Sequence, residues 1–123
     1  MRSGDDVASL VGAEMSAVSF VRDYVEFHFD GPILRSLTDP LVRLEGVELC
    51  FADAGWRDAL CSVIGSTIRR AEVLSGDRIE LVTTDGKQLS IPLDDRSRVG
   101  PEAAHFVPAE DNGRLRLEDM RIW

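Results

Sequence analysis

The sequence predicts a mainly β fold of antiparallel meanders, forming a sandwich, roll or partly open barrel from two similar halves, with one short helix near 56–64. Three observations carry this. Tyr24 to Asp30 and Arg78 to Thr84 alternate apolar and polar residues with the period of two that a half-buried strand requires. Asp30-Gly31 and Asp85-Gly86 follow these runs, and Gly tolerates the positive φ of a tight hairpin turn. The surrounding pattern occurs twice, over Leu10–Leu37 and Val63–Leu93: an apolar residue, a Gly, spaced apolar residues, a polar break, an alternating run, Asp-Gly and a short apolar strand.

Taken in order, Asp5 or Asp6 is placed to cap a short helical turn through Val7, Ala8, Leu10 and Val11, which Gly12 ends. Leu10 and Val11 can equally begin a strand. From Glu14 to Val21, Val18 and Phe20 share a face, with Met15, Ala17 and Ser19 on the other, and Arg22-Asp23 makes a break. Val25, Phe27 and Phe29 then point one way, and Tyr24, Glu26, His28 and Asp30 the other. Pro32 has no N–H to give a ladder, so the loop after Asp30-Gly31 is expected to exceed the simple two-residue kind. Ile33 to Leu37 returns as a strand, and a further strand is expected at Val47, Leu49 and Phe51, beyond the interruption at Gly46. Trp56, Leu60 and Ile64 are spaced by four with Ala59 and Val63 beside them, which is one apolar helix face between Gly55 and Gly65.

In the second half, Ile68, Ala71 and Val73 change parity, as at a β-bulge. Ile79, Leu81 and Thr83 are assigned inward, as are Leu89, Ile91 and Leu93, and outward Pro92 marks an edge or a strand end. Asp94 to Asn112 reads as the longest irregular stretch, with a helical turn over Glu102–Phe106 opened by Pro101. Leu115 to Trp123 is expected to close the chain as a strand, broken near Glu118-Asp119.

The length of 123 residues fits one domain, 1–123, with an internal duplication of 10–51 and 63–123 as an expectation. Gly12 and Gly65 are 53 apart and Asp30 and Asp85 are 55 apart; the difference is assigned to the Arg22-Asp23 break. Val42–Cys50 echoes Leu115–Trp123 at an offset of 73, which requires an insertion at Asp94–Gly113.

Lys and Arg number 14 against 22 Asp and Glu, a formal net charge of −8. This disfavours nucleic acid, whose phosphates need clustered cations, and suits either simple solubility or a basic protein partner. No run approaches the roughly 20 apolar residues of a membrane-spanning helix, so no membrane is expected, and cytoplasm is the default location. Cys50 and Cys61 match no zinc or redox spacing and are assigned to the core. No metal site, cofactor or catalytic motif is expected. The candidate ligand-binding residues are His28, beside Glu26 and Asp30 on one strand face, and Asp94, Glu102 and His105 in the long loop. A structural role for these groups is the competing reading, since solvent-facing strands carry polar residues in any case.

The stretch LCSVIGSTIRRAEV…RIELVTTDGKQLSIPL, the following GPEAAHFVP and the terminal Trp resemble small bacterial β-domain proteins, notably actinobacterial ones. The matching positions are Cys61, Gly65, Asp85, Gly86, Glu102, Ala103 and Trp123, in roughly the second half, with Ser62 intervening after Cys61. Some such proteins are regarded as immunity proteins that block toxins, so the resemblance implies a non-enzymatic inhibitor, and the net charge of −8 makes its expected partner basic. The alternatives are a small-molecule or metal site between the sheet and the 94–113 loop, and a homodimer pairing Leu115–Trp123.

Overall fold

A computed structural model of the chain describes residues 7–123; Asp5 and Asp6, the expected helix caps, lie outside the described residues. A short 3-10 turn, Val7–Leu10, precedes β1 (Ala17–Val21), β2 (Tyr24–His28), β3 (Ile33–Ser36), β4 (Leu41–Leu44) and β5 (Val47–Leu49). The only α-helix among the described residues, α1 (Trp56–Cys61), follows. Then come β6 (Ile68–Leu74), β7 (Arg78–Thr83), β8 (Gln88–Pro92), β9 (Ala104–Val107), a 3-10 turn over Leu117–Asp119, and β10 (Arg121–Ile122).

The strands form two antiparallel sheets, ordered β1-β2-β3-β9-β10 and β5-β4-β8-β7-β6, which do not close into a barrel. Reading the second sheet from β6 gives the plan of the first: a three-stranded meander from one half of the chain, then a strand pair from the other. Val25, Phe27, Leu34 and Phe106 of the first sheet and Val42, Ile79, Leu81, Leu89 and Ile91 of the second belong to one buried cluster. The alternating runs thus bury the faces that the sequence predicts.

The halves meet where the chain approaches each meander. Gly12 N–H donates to the Ile68 carbonyl (2.8 Å) and Gly65 N–H to that of Met15 (2.8 Å). Ile68 N–H donates to Ala13 (2.8 Å) and Met15 N–H to Ser66 (3.0 Å), around the Glu14–Thr67 bridge. Both Gly12 and Gly65 sit at φ +90°, a turn that side-chain-bearing residues resist. This exchange buries Met15, which the local alternation placed opposite Val18 and Phe20.

The expected bulge in β6 lies between Ile68 and Arg70. The loop over Phe29–Pro32 is longer than two residues, as Pro32 requires, and its Phe29 N–H bonds the Pro32 carbonyl (3.0 Å). A Cβ on Gly31 would stand 3.2 Å from the Ala109 methyl, so tight packing as well as its φ of +144° favours glycine there.

Several expectations are corrected. Glu102–Phe106 is not a helical turn: Ala104–Val107 is β9, paired with β3 through Leu34–Phe106 and Arg35–His105. Pairing with β3 and burial of Phe106 outweigh the local helical cue of Pro101. β9, not Leu115 onward, therefore takes in the first sheet the place that β4 takes in the second. Leu115 makes only an isolated bridge to Ala109, and the last strand shrinks to Arg121–Ile122. α1 stops at Cys61, and i to i+3 turns through Ser62–Ile64 bring Val63 inward and leave Ile64 exposed. Cys50 and Cys61 are both exposed rather than core residues. Cys50 follows the edge strand β5, and Cys61 is rotated away from the buried Trp56–Ala59–Leu60 stripe.

Truncating Phe27, fully buried at the centre of the cluster, removes a ring from a site walled by both sheets. Phe27→Ala is expected to lower the unfolding free energy by about 3–5 kcal/mol, read from urea denaturation. At the β7–β8 hairpin, the Thr83 hydroxyl, with Lys87 beside it, holds the Asp85 carboxyl below its usual range. A lowered folded value stabilises above the unfolded pKa and is lost as pH falls through the folded one. Wild-type stability should therefore drop more steeply than that of Asp85→Asn below about pH 4, in urea titrations at stepped pH.

Candidate functional site

On the outer face of the first sheet, the strand registers place Glu26, Arg35 and His105 side by side across β2, β3 and β9. Arg35 donates from Nε (2.8 Å) and Nη2 (2.7 Å) to Glu26 Oε2. Its Nη1 lies 3.0 Å from His105 Nδ1, and His105 Nε2 lies 2.9 Å from Glu102 Oε1. A guanidinium only donates, so Nδ1 accepts, and the proton of the neutral imidazole is assigned to Nε2, where it donates to Glu102. The Arg35 guanidinium also stands 5.0 Å over the Tyr24 ring. His28, two residues along β2, brings Nε2 to 3.4 Å from both Glu26 Oε1 and Ser19 Oγ.

The structure therefore links three of the four sequence-predicted site residues, His28, His105 and Glu102, through the Glu26–Arg35 pair. Asp94 is not among them. Its carboxylate accepts from Ser97 Oγ (2.8 Å) in its own turn, and that bond holds it below the usual carboxylate range. Arg98, bonded to the carbonyls of Leu93 (3.0 Å) and Pro101 (2.8 Å), fastens the rest of this loop.

The arrangement limits the chemistry. Ser19 and Glu26 meet the same nitrogen of His28, so the ring cannot take a proton from one on one side and pass it to the other on the opposite side, as a nucleophile–base–carboxylate triad requires. Arg35 occupies the space between Glu26 and His105, and no group of three or more His, Cys, Asp or Glu side chains among the described residues is placed to hold a metal ion.

Glu102 also faces a cleft of about 730 Å³ at one end of the molecule. Its walls are the β1–β2 turn, the β3–β4 link at Leu37–Asp39, Phe51 with the start of α1, and Val99–Glu102. Trp56 anchors it: the indole Nε1–H donates to the Pro40 carbonyl (2.8 Å), and Phe20 and Phe51 stand edge-on to it with ring centres 6.0 and 5.4 Å away. Phe20 and Phe51 are 40% and 57% exposed, and Val99 is 93% exposed. Arg57 lies 5.7 Å over the Phe20 ring. The carboxylates are Asp23, Asp39 and Glu102.

Sequence reasoning assigned Phe20 and Phe51 to strand faces and did not identify the cleft. The available signal was the position of Phe51 just before Ala52-Asp53-Ala54-Gly55, where a large aromatic abuts a loop. No helix among the described residues is long and apolar enough to cross a membrane. No protein-family model, curated protein or solved structure matches the chain.

Glu26 is only 14% exposed at its side chain, so removing its cation strands a poorly hydrated carboxylate. Arg35→Gln is expected to cost about 1–3 kcal/mol in chemical denaturation, a partly buried charged pair falling short of a fully buried one. In the wild-type protein, imidazole ¹⁵N shifts should identify the Nε2–H tautomer of His105, and R35Q should release it to a tautomer mixture.

Proposed function

We propose that this chain is a non-enzymatic binding protein that engages a basic protein partner at the aromatic cleft, as an immunity-type inhibitor does. The observation that carries this reading is the pair of exposed rings, Phe20 and Phe51, braced against Trp56 beside Asp23 and Asp39. Rigid aromatic anchors next to carboxylates suit a partner that presents an apolar side chain flanked by Lys or Arg. The net charge of −8 favours the encounter, and the resemblance of the second half to small bacterial β-domain proteins, some of them regarded as immunity proteins, points the same way. Neither Asp23 nor Asp39 has an ion-pair partner among the described residues, so both carboxylates remain available.

A second reading, a small polar ligand held between the sheet and the 94–113 loop, draws support from Glu102, which both lines the cleft and is oriented by His105. A volume of about 730 Å³ is adequate for such a ligand. A homodimer through the C-terminal edge has less support, since β10 offers only Arg121 and Ile122 for pairing.

Titrating ¹⁵N-labelled protein with a Lys-rich peptide bearing one Leu or Trp anchor separates these readings. The partner reading expects amide shifts confined to 20–25, 37–39, 51–57 and 99–102, weakening as salt is raised and abolished in Phe51→Ser. Shifts scattered over the surface, or indifferent to salt and to F51S, would count against it.

A further inference from the structure

We infer that the free edge of β1 is a pairing surface for a second copy of this chain, joining two first sheets antiparallel into one continuous ten-stranded sheet. The four sheet edges differ in how they are protected. β6, which holds in its sheet the place of β1, carries Arg69, Arg70 and Glu72 and a register shift. Its start is also covered by the pairing of Ala13–Met15 with Ser66–Ile68. β5 is three residues long with Glu48 at its centre, and β10 is two residues long with Arg121. Charges, bulges and brevity are the devices that keep an edge from pairing.

β1 has none of them. Its five residues, Ala-Val-Ser-Phe-Val, hold no charge, proline or bulge, and its backbone bonds to β2 alone among the described residues. Val21, at its end, is among the exposed large apolar residues.

The occupant follows from the strand's own sequence. Pairing about a twofold axis at Ser19 sets Val18 opposite Phe20 of the partner subunit and Ala17 opposite the partner's Val21, using all five residues. β-branched residues facing aromatic ones are favourable cross-strand pairs, and no like charges meet inside the strand. Partner positions have the same parity, so the outward N–H and C=O groups of each copy face their counterparts. This interface is isologous, as a closed dimer requires. It shares Phe20 and Val21 with the cleft, but its readout, the oligomeric mass, is separate from peptide binding there. The cleft lies at the Val21 end of β1, so a dimer carries two clefts on opposite sides of the axis.

Light scattering and sedimentation of the full chain test this. The wild-type protein is expected at twice the chain mass, with the β1 amides slowed in hydrogen exchange on concentration. Ala17→Lys/Val21→Lys sets lysines against lysines across the axis and should give the chain mass with an unchanged circular dichroism spectrum. Ala17→Lys/Val21→Glu puts the same number of charges on the edge but opposes Lys to Glu, and should remain dimeric. A wild-type chain that stays monomeric at high concentration overturns the inference and leaves the edge to a different protein's strand. So does a double-lysine variant that remains dimeric while folded, or a Lys/Glu variant that dissociates while folded.

Discussion

Four backbone hydrogen bonds between Gly12–Met15 and Gly65–Ile68 fix how the two halves of this chain face each other. They are reciprocal: each bond from the first segment to the second has a matching bond from the second to the first. Once they form, β1 and β6 leave the same crossing into different sheets, and each meander follows its own local pattern. The later strands then complete the opposite sheet, so β9 joins β3 and β4 joins β8. The core is therefore shared. Neither meander could bury Phe27 or Leu81 without the other, which makes the crossing a condition of the fold rather than an ornament of it.

The same plan yields two different outer faces. Glu26 on β2 and Glu80 on β7 each occupy the second strand of a meander, point away from the core and are held by arginine. Glu80 is enclosed by Arg70 (3.4 Å), Arg78 (3.4 Å) and Gln88 (2.7 Å), and among the described residues Arg70 leads on only to Glu72 (3.5 Å) on the neighbouring strand. Glu26 shares Arg35 with His105, which reaches Glu102 and so the cleft. The difference arises from the connections. β3 passes to β4 through Leu37–Pro40, whereas β8 passes to β9 through the longer 93–103 segment, and that segment brings Val99–Glu102 to the cleft. Loops carried on a rigid sheet are where binding groups accumulate, and this one is tied down by Arg98.

Much of this was legible in the sequence. The alternation at Val25, Phe27 and Phe29, the inward set Ile79, Leu81, Leu89 and Ile91, the bulge after Ile68 and the helix at Trp56 rest on local periodicity and turn chemistry, which neighbouring residues specify among themselves. His28, His105 and Glu102 were also singled out as titratable groups, His28 beside Glu26 and Asp30 on one strand face and Glu102 three residues before His105 in the long loop. Their connection was not legible, because Arg35 joins them only once β2, β3 and β9 lie in register across 70 residues of chain between Arg35 and His105.

What the sequence by itself determined, then, is the two three-stranded meanders, the buried faces of β2, β7 and β8 and most of the turns, because period two and positive-φ glycines are properties of a few consecutive residues. What only the tertiary structure decided is which strands adjoin, that Ala104–Val107 is a strand, that both cysteines face solvent, and that Phe20, Phe51 and Trp56 meet at one end. Each of these depends on contacts between residues far apart in the chain, where pairing and burial outweigh local preference and no window of sequence contains both partners.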